Sequence, residues 1–465
     1  MVLRRKIGIA ILLVIVVSLT LFMSFLGSNA LTSRKQLAAN HGSLDADPVT
    51  IRMAYWANSQ LTVEKNNEVV RLFEKAYPNI RVKAEYFWGD AYSGNMAVMA
   101  ATNSLPDVIR IDYSSISEYI GKDLLLPLNG FIDQNAIDLD GVHPVHNQGA
   151  TVNGQTYGIN IGNNALVMFY NPALLRSAGI APPGPNYTWE QYEADLRTIK
   201  RVTGKYGAAH LTFQHFQVWL RQYGMALYNN TQTGLGYDND ELFIAFFEQQ
   251  LGWQKEGLIS PVALEQNTRG LDDGRFPKGM TVFGAQTYWS NQVDIMEKQL
   301  GFPVGLSMYP GPGEGMYIKP SFYHSIARTS KHPGEAAVFI DFYNNNIEVA
   351  KSLDGYFGFP YHPRIIASLS ESFSPAQQKV KDYLALVEQY GSVIDPPEPA
   401  LGSEVLELFN ILDSEMMFGE ITPEEGAKRF RDKVTALLSA SSVDAPGDEG
   451  PTIDQKLDNL LRNGE

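Results

Sequence analysis

Residues 49–86 read VTIRMAYWANSQLTVEKNNEVVRLFEKAYPNIRVKAEY, and their apolar pattern changes period twice. Val49, Ile51, Met53 and Tyr55 alternate and share one face of a strand. Val63, Val70, Phe73 and Tyr77, joined by Val69, Leu72 and Ala76, then form a helical stripe that stops at Pro78. Ile80, Val82, Ala84 and Tyr86 alternate again. Strand, helix, strand at this spacing is a βαβ unit, because parallel strands need a crossover between them. A third strand is expected over 107–112, after a helical segment around 96–101. The expected fold class is α/β, and open α/β sheets bind ligands beyond the carboxyl ends of their strands. Those three ends carry Tyr55-Trp56, Phe87-Trp88 and Asp112-Tyr113.

Outward from this unit, the chain runs to 465 residues, 44% of them hydrophobic. That is about three times a typical domain, so more than one core is expected. Lys and Arg number 37 against 51 Asp and Glu, a formal net charge of −14. Such a balance speaks against nucleic acid, whose phosphates need clustered basic side chains. There is no cysteine, which excludes disulfides, thiolate metal sites, cysteine nucleophiles and a lipid-modified N-terminal cysteine.

Arg4, Arg5 and Lys6 precede an apolar run over 7–26, broken only by Gly8, Ser18, Thr20 and Ser24 and followed by Ser28-Asn29-Ala30. Residues 1–30 thus read as a signal peptide or as an uncleaved signal anchor, the run being long enough for either. Both fates place the body outside the cytoplasm, in a periplasm or on the extracellular face of the cell membrane. A polar linker is expected over 31–47.

Further along, the run Gly154-Gln155-Thr156-Tyr157-Gly158 reads as a hairpin turn, and 166–170 as a strand. Thr188-Trp189-Glu190-Gln191 has the form of a capping box opening a helix through Ile199. Aromatic-rich helical segments are expected at 216–228 and 243–253, and another strand at 280–283. The Gly- and Pro-rich stretch 301–315 suits a crossover between domains. Helices are expected to dominate 333–438, and a flexible tail over 441–465 to hold a short helix at 453–461.

These segments, in this order, resemble the extracellular solute-binding proteins of carbohydrate ABC importers, family 1, which includes the maltose-binding proteins. The likeness covers about 49–438. It is carried by Val69-Val70-Arg71-Leu72-Phe73-Glu74-Lys75-Ala76-Tyr77-Pro78-Asn79-Ile80, by Leu105-Pro106-Asp107-Val108-Ile109, and by Gly154 to Gly158 with Phe169-Tyr170-Asn171 and Ala178-Gly179-Ile180. Phe276 to Gly284 and Ser330-Lys331-His332-Pro333-Gly334-Glu335-Ala336-Ala337 complete it. The resemblance implies a periplasmic-binding-protein-like fold of two α/β lobes with a cleft and discontinuous hinge crossings. Lobe I would span 48–160 plus 309–345, and lobe II 164–303 plus 350–440. It also implies a monomeric, non-enzymatic receptor, without cofactor or metal, that closes on a carbohydrate and presents it to the permease subunits of an ABC transporter.

Carried over position by position, the family pattern points to ligand-binding residues. In lobe I these are Trp56 and Asn58 after the first strand, Trp88 and Asp90 after the second, and Asp112 and Tyr113 after the third. Asn164 falls at the first crossing. In lobe II, Gln214, Phe216 and Trp219 match an aromatic cleft segment, and Gln286 and Trp289 lie in the loop Gly284-Ala285-Gln286-Thr287-Tyr288-Trp289. Tyr323 stands where the family often has Gly, and Tyr356 in a Gly-rich turn. Rings suit the C–H face of a sugar, and amides and carboxylates suit its hydroxyl rim.

Other classes have less behind them. No local pattern singles out the acid/base pair of a glycosidase, and no G-x-S-x-G elbow occurs. His143 and His146 have HxxH spacing, but Pro144 between them favours loop histidines over a metal site. Asp138-Leu139-Asp140-Gly141 lacks the later ligands of a calcium loop. A sensor module for a membrane kinase, or an adhesin, is the remaining alternative.

Overall fold

The structure is a computed structural model that describes residues 48–441 apart from Asp90, 265–273, Ala285, Gln286 and Ala400. The expected leader, linker and tail helix, and the candidates Asp90 and Gln286, lie outside the described residues. In chain order the strands are β1 (Val49–Ala57), β2 (Ile80–Trp88), β3 (Val108–Ile111), β4 (Thr151–Val152), β5 (Gln155–Thr156), β6 (Ile159–Asn160), β7 (Asn163–Asn164), β8 (Met168–Tyr170), β9 (Phe283–Gly284), β10 (Gly305–Ser307), β11 (Lys319–Pro320) and β12 (Tyr323–Ile326). The longer helices used below are α1 (Gln60–Ala76), α2 (Ala91–Ala101), α3 (Trp189–Thr203), α4 (Phe213–Gln222), α5 (Glu241–Lys255), α6 (Pro333–Asn345), α7 (Gly402–Met417) and α8 (Pro423–Ser441). Among the described residues no helix is long and apolar enough to cross a membrane.

The chain forms two compact units. The first takes in residues up to Ile161, then Phe322–Gly355 and Pro360–Leu369, and the second Gly162–Ser321, Tyr356–Phe359 and the chain from Ser370. The first unit is built on a five-stranded sheet of order β2-β1-β3-β12-β6. β1 runs parallel to β2 and β3, while β12 is antiparallel to β3 and β6. Ser59 caps α1 by accepting from the Thr62 amide, and Tyr77, just before Pro78, closes its end. The inward stripe of α1 ends at Phe73, whose ring meets Phe339 and Phe342 of α6 edge-on at 5.0 and 5.3 Å. The hairpin turn is Asn153-Gly154, one residue earlier than expected; both have positive φ, as a two-residue loop joining β4 to β5 requires.

A buried guanidinium crosses the middle of this sheet. Arg110 of β3 donates to Asn66 Oδ1 at 2.7 Å, to Tyr343 Oη at 3.0 Å and to His324 Nε2 at 3.2 Å. Three rings, Tyr55, Tyr343 and Phe322, also face it. Burial, then the neighbouring Arg110 charge, hold the His324 imidazole well below its ordinary pKa, so it stays a neutral acceptor.

The second unit holds a small sheet, β10-β8-β9, inside a shell of helices. Thr188 and Gln191 form the expected capping box at the head of α3. Phe216 of α4, Phe243 and Phe247 of α5, Phe409 of α7 and Phe430 of α8 form one packed aromatic interior, neighbouring rings lying 4.8–6.0 Å apart.

The units are divided differently from the expected lobes. Residues 309–321, expected with lobe I, belong to the second unit because β11 pairs with β7 and Arg221 of α4 donates to the Gly315 carbonyl. The Gly- and Pro-rich stretch 301–315 therefore holds no crossing, and the chain returns to the first unit at Phe322. Residues 350–355 and 360–369, expected with lobe II, belong to the first unit. Lys65 of α1 donates to the Ser352 carbonyl, and Arg364 pairs with Asp138 at 3.4 Å. Within the second unit, the segments at Gly162 and Gly358 pack backbone on backbone: a Cβ on Gly162 would lie 2.7 Å from the Phe357 carbonyl oxygen.

Candidate functional site

In the first unit the candidate residues gather at the carboxyl ends of β1, β2 and β3. The register sets Trp56 beside Phe87 and Ala57 beside Trp88. Successive residues of a strand point to opposite faces, so Tyr55 and Trp56 part company. Tyr55 is enclosed, and burial pushes its hydroxyl up to about 12. Trp56 is half-buried, its ring 6.1 Å from Phe322.

Trp88 sits on the edge strand and is 49% exposed; Tyr86, two residues back on the same face, is 43% exposed and meets it edge-on at 5.5 Å. Tyr86 in turn lies 6.1 Å from Tyr55, so three rings step outward from the core to the sheet edge. The sequence reading counted Tyr86 in the alternating pattern of the strand and not among the ligand candidates, though its place two residues before Trp88 was the available signal.

The polar candidates of this unit are partly engaged. Asn58 is exposed and its Oδ1 accepts from Thr62 Oγ1 at 2.8 Å, which reinforces the start of α1. Asp112 is half-buried, and one carboxylate oxygen accepts from the Ser114 amide at 2.9 Å and hydroxyl at 2.7 Å. That turn ends β3 and fixes the carboxylate, whose second oxygen makes no hydrogen bond within the described structure.

Tyr113 and Tyr323 are corrections to the expected surface. Their rings lie 6.5 Å apart, and a Cβ on Gly149 would come 2.5 Å from both Tyr113 Cε2 and Tyr323 Oη. Tyr323 opens β12, paired with both Ile111 and Asn160, and is 0% exposed. A residue central to a sheet packs inward, so Tyr323 offers no face to a solute within its unit.

In the second unit, Asn164 of β7 stands directly across from Lys319 of β11. Its Oδ1 is buried and accepts no hydrogen bond from the described residues. Trp289 is half-buried, bridged through its backbone to Leu166, with the Lys319 ammonium 5.4 Å from its ring centre. Gln214, half-buried near the start of α4, accepts from Thr287 Oγ1 at 3.1 Å, and Thr287 contacts Thr212 Oγ1 at 3.1 Å. The chain of groups ends at His215, whose Nδ1 accepts from the Thr212 amide at 2.9 Å. Burial, with His210 adding to it, pulls His215 down to about 3. Lys319, Thr287 and Thr212 were missed by sequence reading; nothing local to Lys319 shows that it will face Asn164.

Phe216 and Trp219 are the second correction. Phe216 is 0% exposed, ringed by Phe243 at 5.2 Å, Phe246 at 5.3 Å and Phe409 at 5.6 Å. Trp219 is 6% exposed and donates from Nε1 to the Leu242 carbonyl at 3.0 Å. Helical spacing puts both on the inward side of α4, where an indole needs a buried acceptor and finds one. Tyr356 is half-buried, edge-on to Phe357 at 4.9 Å.

The HxxH pair also differs from expectation. His143 is exposed and accepts from the Val145 amide, but His146 is buried, 5.0 Å from the Tyr361 ring, and burial takes it down to about 4. Among the described residues no three His, Asp or Glu are grouped to hold a metal ion. What the site residues have in common is chemical: indole faces left partly open, beside amide, hydroxyl and ammonium groups.

The sequence profile described as bacterial extracellular solute-binding protein matches residues 58–349. The structure is similar to an extracellular solute-binding protein family 1 member from Alicyclobacillus acidocaldarius, with a TM-score of 0.76 and 26% identity over 85% of this chain and 100% of that one. It also shares its fold with a periplasmic oligogalacturonide binding protein from Yersinia enterocolitica, at a TM-score of 0.68 and 21% identity over 84% of this chain and all of the other. In sequence, 158 residues are 25% identical to the arabinooligosaccharide-binding protein of Bacillus subtilis, covering 33% of this chain and 36% of that protein. The match therefore spans little more than a third of that curated relative's length.

Proposed function

Because this chain belongs to the bacterial extracellular solute-binding protein family, we propose that it is the substrate-binding component of an ABC transporter for a sugar or oligosaccharide. It captures the saccharide through its two units, by hinge closure, and delivers it to the permease in the membrane. It works outside the cytoplasm, and residues 1–30 either leave it free or tether it. No bond of the solute is made or broken.

One observation carries the reading: Trp56 and Trp88 in the first unit and Trp289 in the second are not fully enclosed, and each unit also carries polar candidates, Asn58 and Asp112 in the first and Asn164 and Gln214 in the second. An indole face covers the C–H side of a pyranose, and amide and carboxylate groups meet its hydroxyls. Relatives whose names state an arabinooligosaccharide or an oligogalacturonide as ligand lend support to a saccharide.

The test is a panel of mono- and oligosaccharides titrated into the purified protein while melting temperature and tryptophan fluorescence are followed. A true ligand at about 100 times its Kd should add about 2.7 kcal/mol of stability. Silence across the panel, with reducing sugar released from a polysaccharide, would replace the receptor with an enzyme.

A further inference from the structure

Lys319, like Lys200 beside Tyr206, has an aromatic ring rather than a carboxylate next to its ammonium. Lys298, Lys351, Lys379 and Lys428 each pair with a carboxylate. Lys319 is half-buried, and among the described residues no carboxylate lies within ion-pair distance of it. Its ammonium rests 5.4 Å from the Trp289 ring centre instead. Directly across the β11–β7 pair is Asn164, whose buried Oδ1 is likewise without a partner there. A partly desolvated ammonium without a counter-charge is costly, and contact with an indole face offsets only part of that cost. In a protein of net charge −14, supplying a carboxylate nearby would have been simple.

The arrangement also has a position in the chain. Asn164 follows the passage into the second unit at Gly162 by two residues, and Lys319 precedes the passage out at Ser321 by two. Both are held by a short strand pair rather than by a loop, so the backbones that carry the ammonium and the amide keep a fixed register. An indole face, an amide and an unneutralised ammonium together match three parts of one molecule: a sugar's C–H face, its hydroxyls and a carboxylate.

We propose that the solute is an acidic saccharide, an oligosaccharide bearing a uronate carboxylate, and that Lys319 selects it. This rests on the saccharide-receptor reading above. The ammonium meets the carboxylate through charge-assisted hydrogen bonds while Trp289 lies against the sugar ring. The net negative field of the protein discourages anionic solutes in general, so recognition depends on this local cation.

Calorimetric titration of the full chain with matched trisaccharides tests it: uronate trimers of the gluco and galacto series, each against its carboxyl-reduced neutral form. One uronate trimer should bind about tenfold or more tighter than its neutral partner, a difference of one charge-assisted contact. Lys319→Met, which keeps the stem over Trp289, should shrink that ratio to about threefold or less, and Lys319→Arg should retain most of it. Equal binding of acidic and neutral partners, preference for a neutral sugar, or an unchanged ratio in Lys319→Met overturns the acidic-saccharide proposal and leaves the receptor reading standing. No heat with any trimer and no thermal shift across the wider sugar panel overturns both.

Discussion

At the sheet edge of the first unit, rings sit where strands end; in the helical interior of the second, rings sit where helices meet. Tyr86 and Trp88 retain solvent-facing surface within their unit because β2 is the edge strand, and Trp56, at the end of β1, is half-buried against Phe322. Phe216 and Trp219 lie in an equally aromatic stretch, but α4 is wrapped by α5 and α7 and turns both inward. Aromatic content alone does not mark a binding surface. What separates the two regions is whether a second layer of structure reaches the ring.

That contrast can be broken most decisively at Phe216. Phe216→Ala should lower the unfolding free energy by about 3–5 kcal/mol, as for a fully enclosed ring, measured by chemical denaturation. A loss under about 1 kcal/mol would mean that the second interior is not the packed cluster described.

Acid is the next lever. His146 in the first unit and His215 in the second are neutral when folded, with pKa values held down to about 4 and about 3. Unfolded histidine titrates near about 6.5, so between these values the unfolded chain binds more protons and stability falls as pH drops. The slope is at most about 1.4 kcal/mol per pH unit for each histidine. It should run from about pH 6.5 down to about 4 for His146, and on to about 3 for His215. His146→Gln should flatten the upper part of the denaturation-versus-pH curve; an unaltered slope would show that the imidazole is not kept neutral.

The smallest effect on stability is expected at the sheet edge. Trp88→Ala should cost about 1 kcal/mol or less, because half of the ring is already in water. If the ring stacks on the ligand, the same change weakens saccharide binding about tenfold or more. Large destabilisation with unchanged affinity would make Trp88 a packing residue and erase the contrast with Phe216.

The opening βαβ unit was legible because each signal was local. Alternation at 49–55, the stripe to Tyr77, Pro78, and alternation again map onto β1, α1 and β2. The capping box at Thr188 was legible for the same reason. The first passage, between Ile161 and Gly162, falls in the expected interval 160–164, but the return at Phe322 was not legible, because it depends on distant pairing: Lys319 with Asn164 and Tyr323 with Ile111 leave no trace in neighbouring residues. At the site, strand ends were readable and ring burial was not. The burial of Tyr113 and Tyr323 depends on partners far away in sequence: Tyr323 is paired with Ile111 and Asn160, and Gly149 leaves room for both rings.

β12 carries one more consequence. It lies between β3 and β6, antiparallel to both, so the first unit's sheet is held together through a strand encoded far downstream of its neighbours. A ribosome that has finished residues 48–161 has made four of the sheet's five strands, with a gap between β3 and β6, and the whole of 162–321 must emerge before the gap can be filled. Such long-range closure slows folding and leaves strand edges open in the meantime. The first unit therefore matures late in synthesis although its sequence begins early, and a fragment ending at Ile161 would lack the strand that joins its two halves.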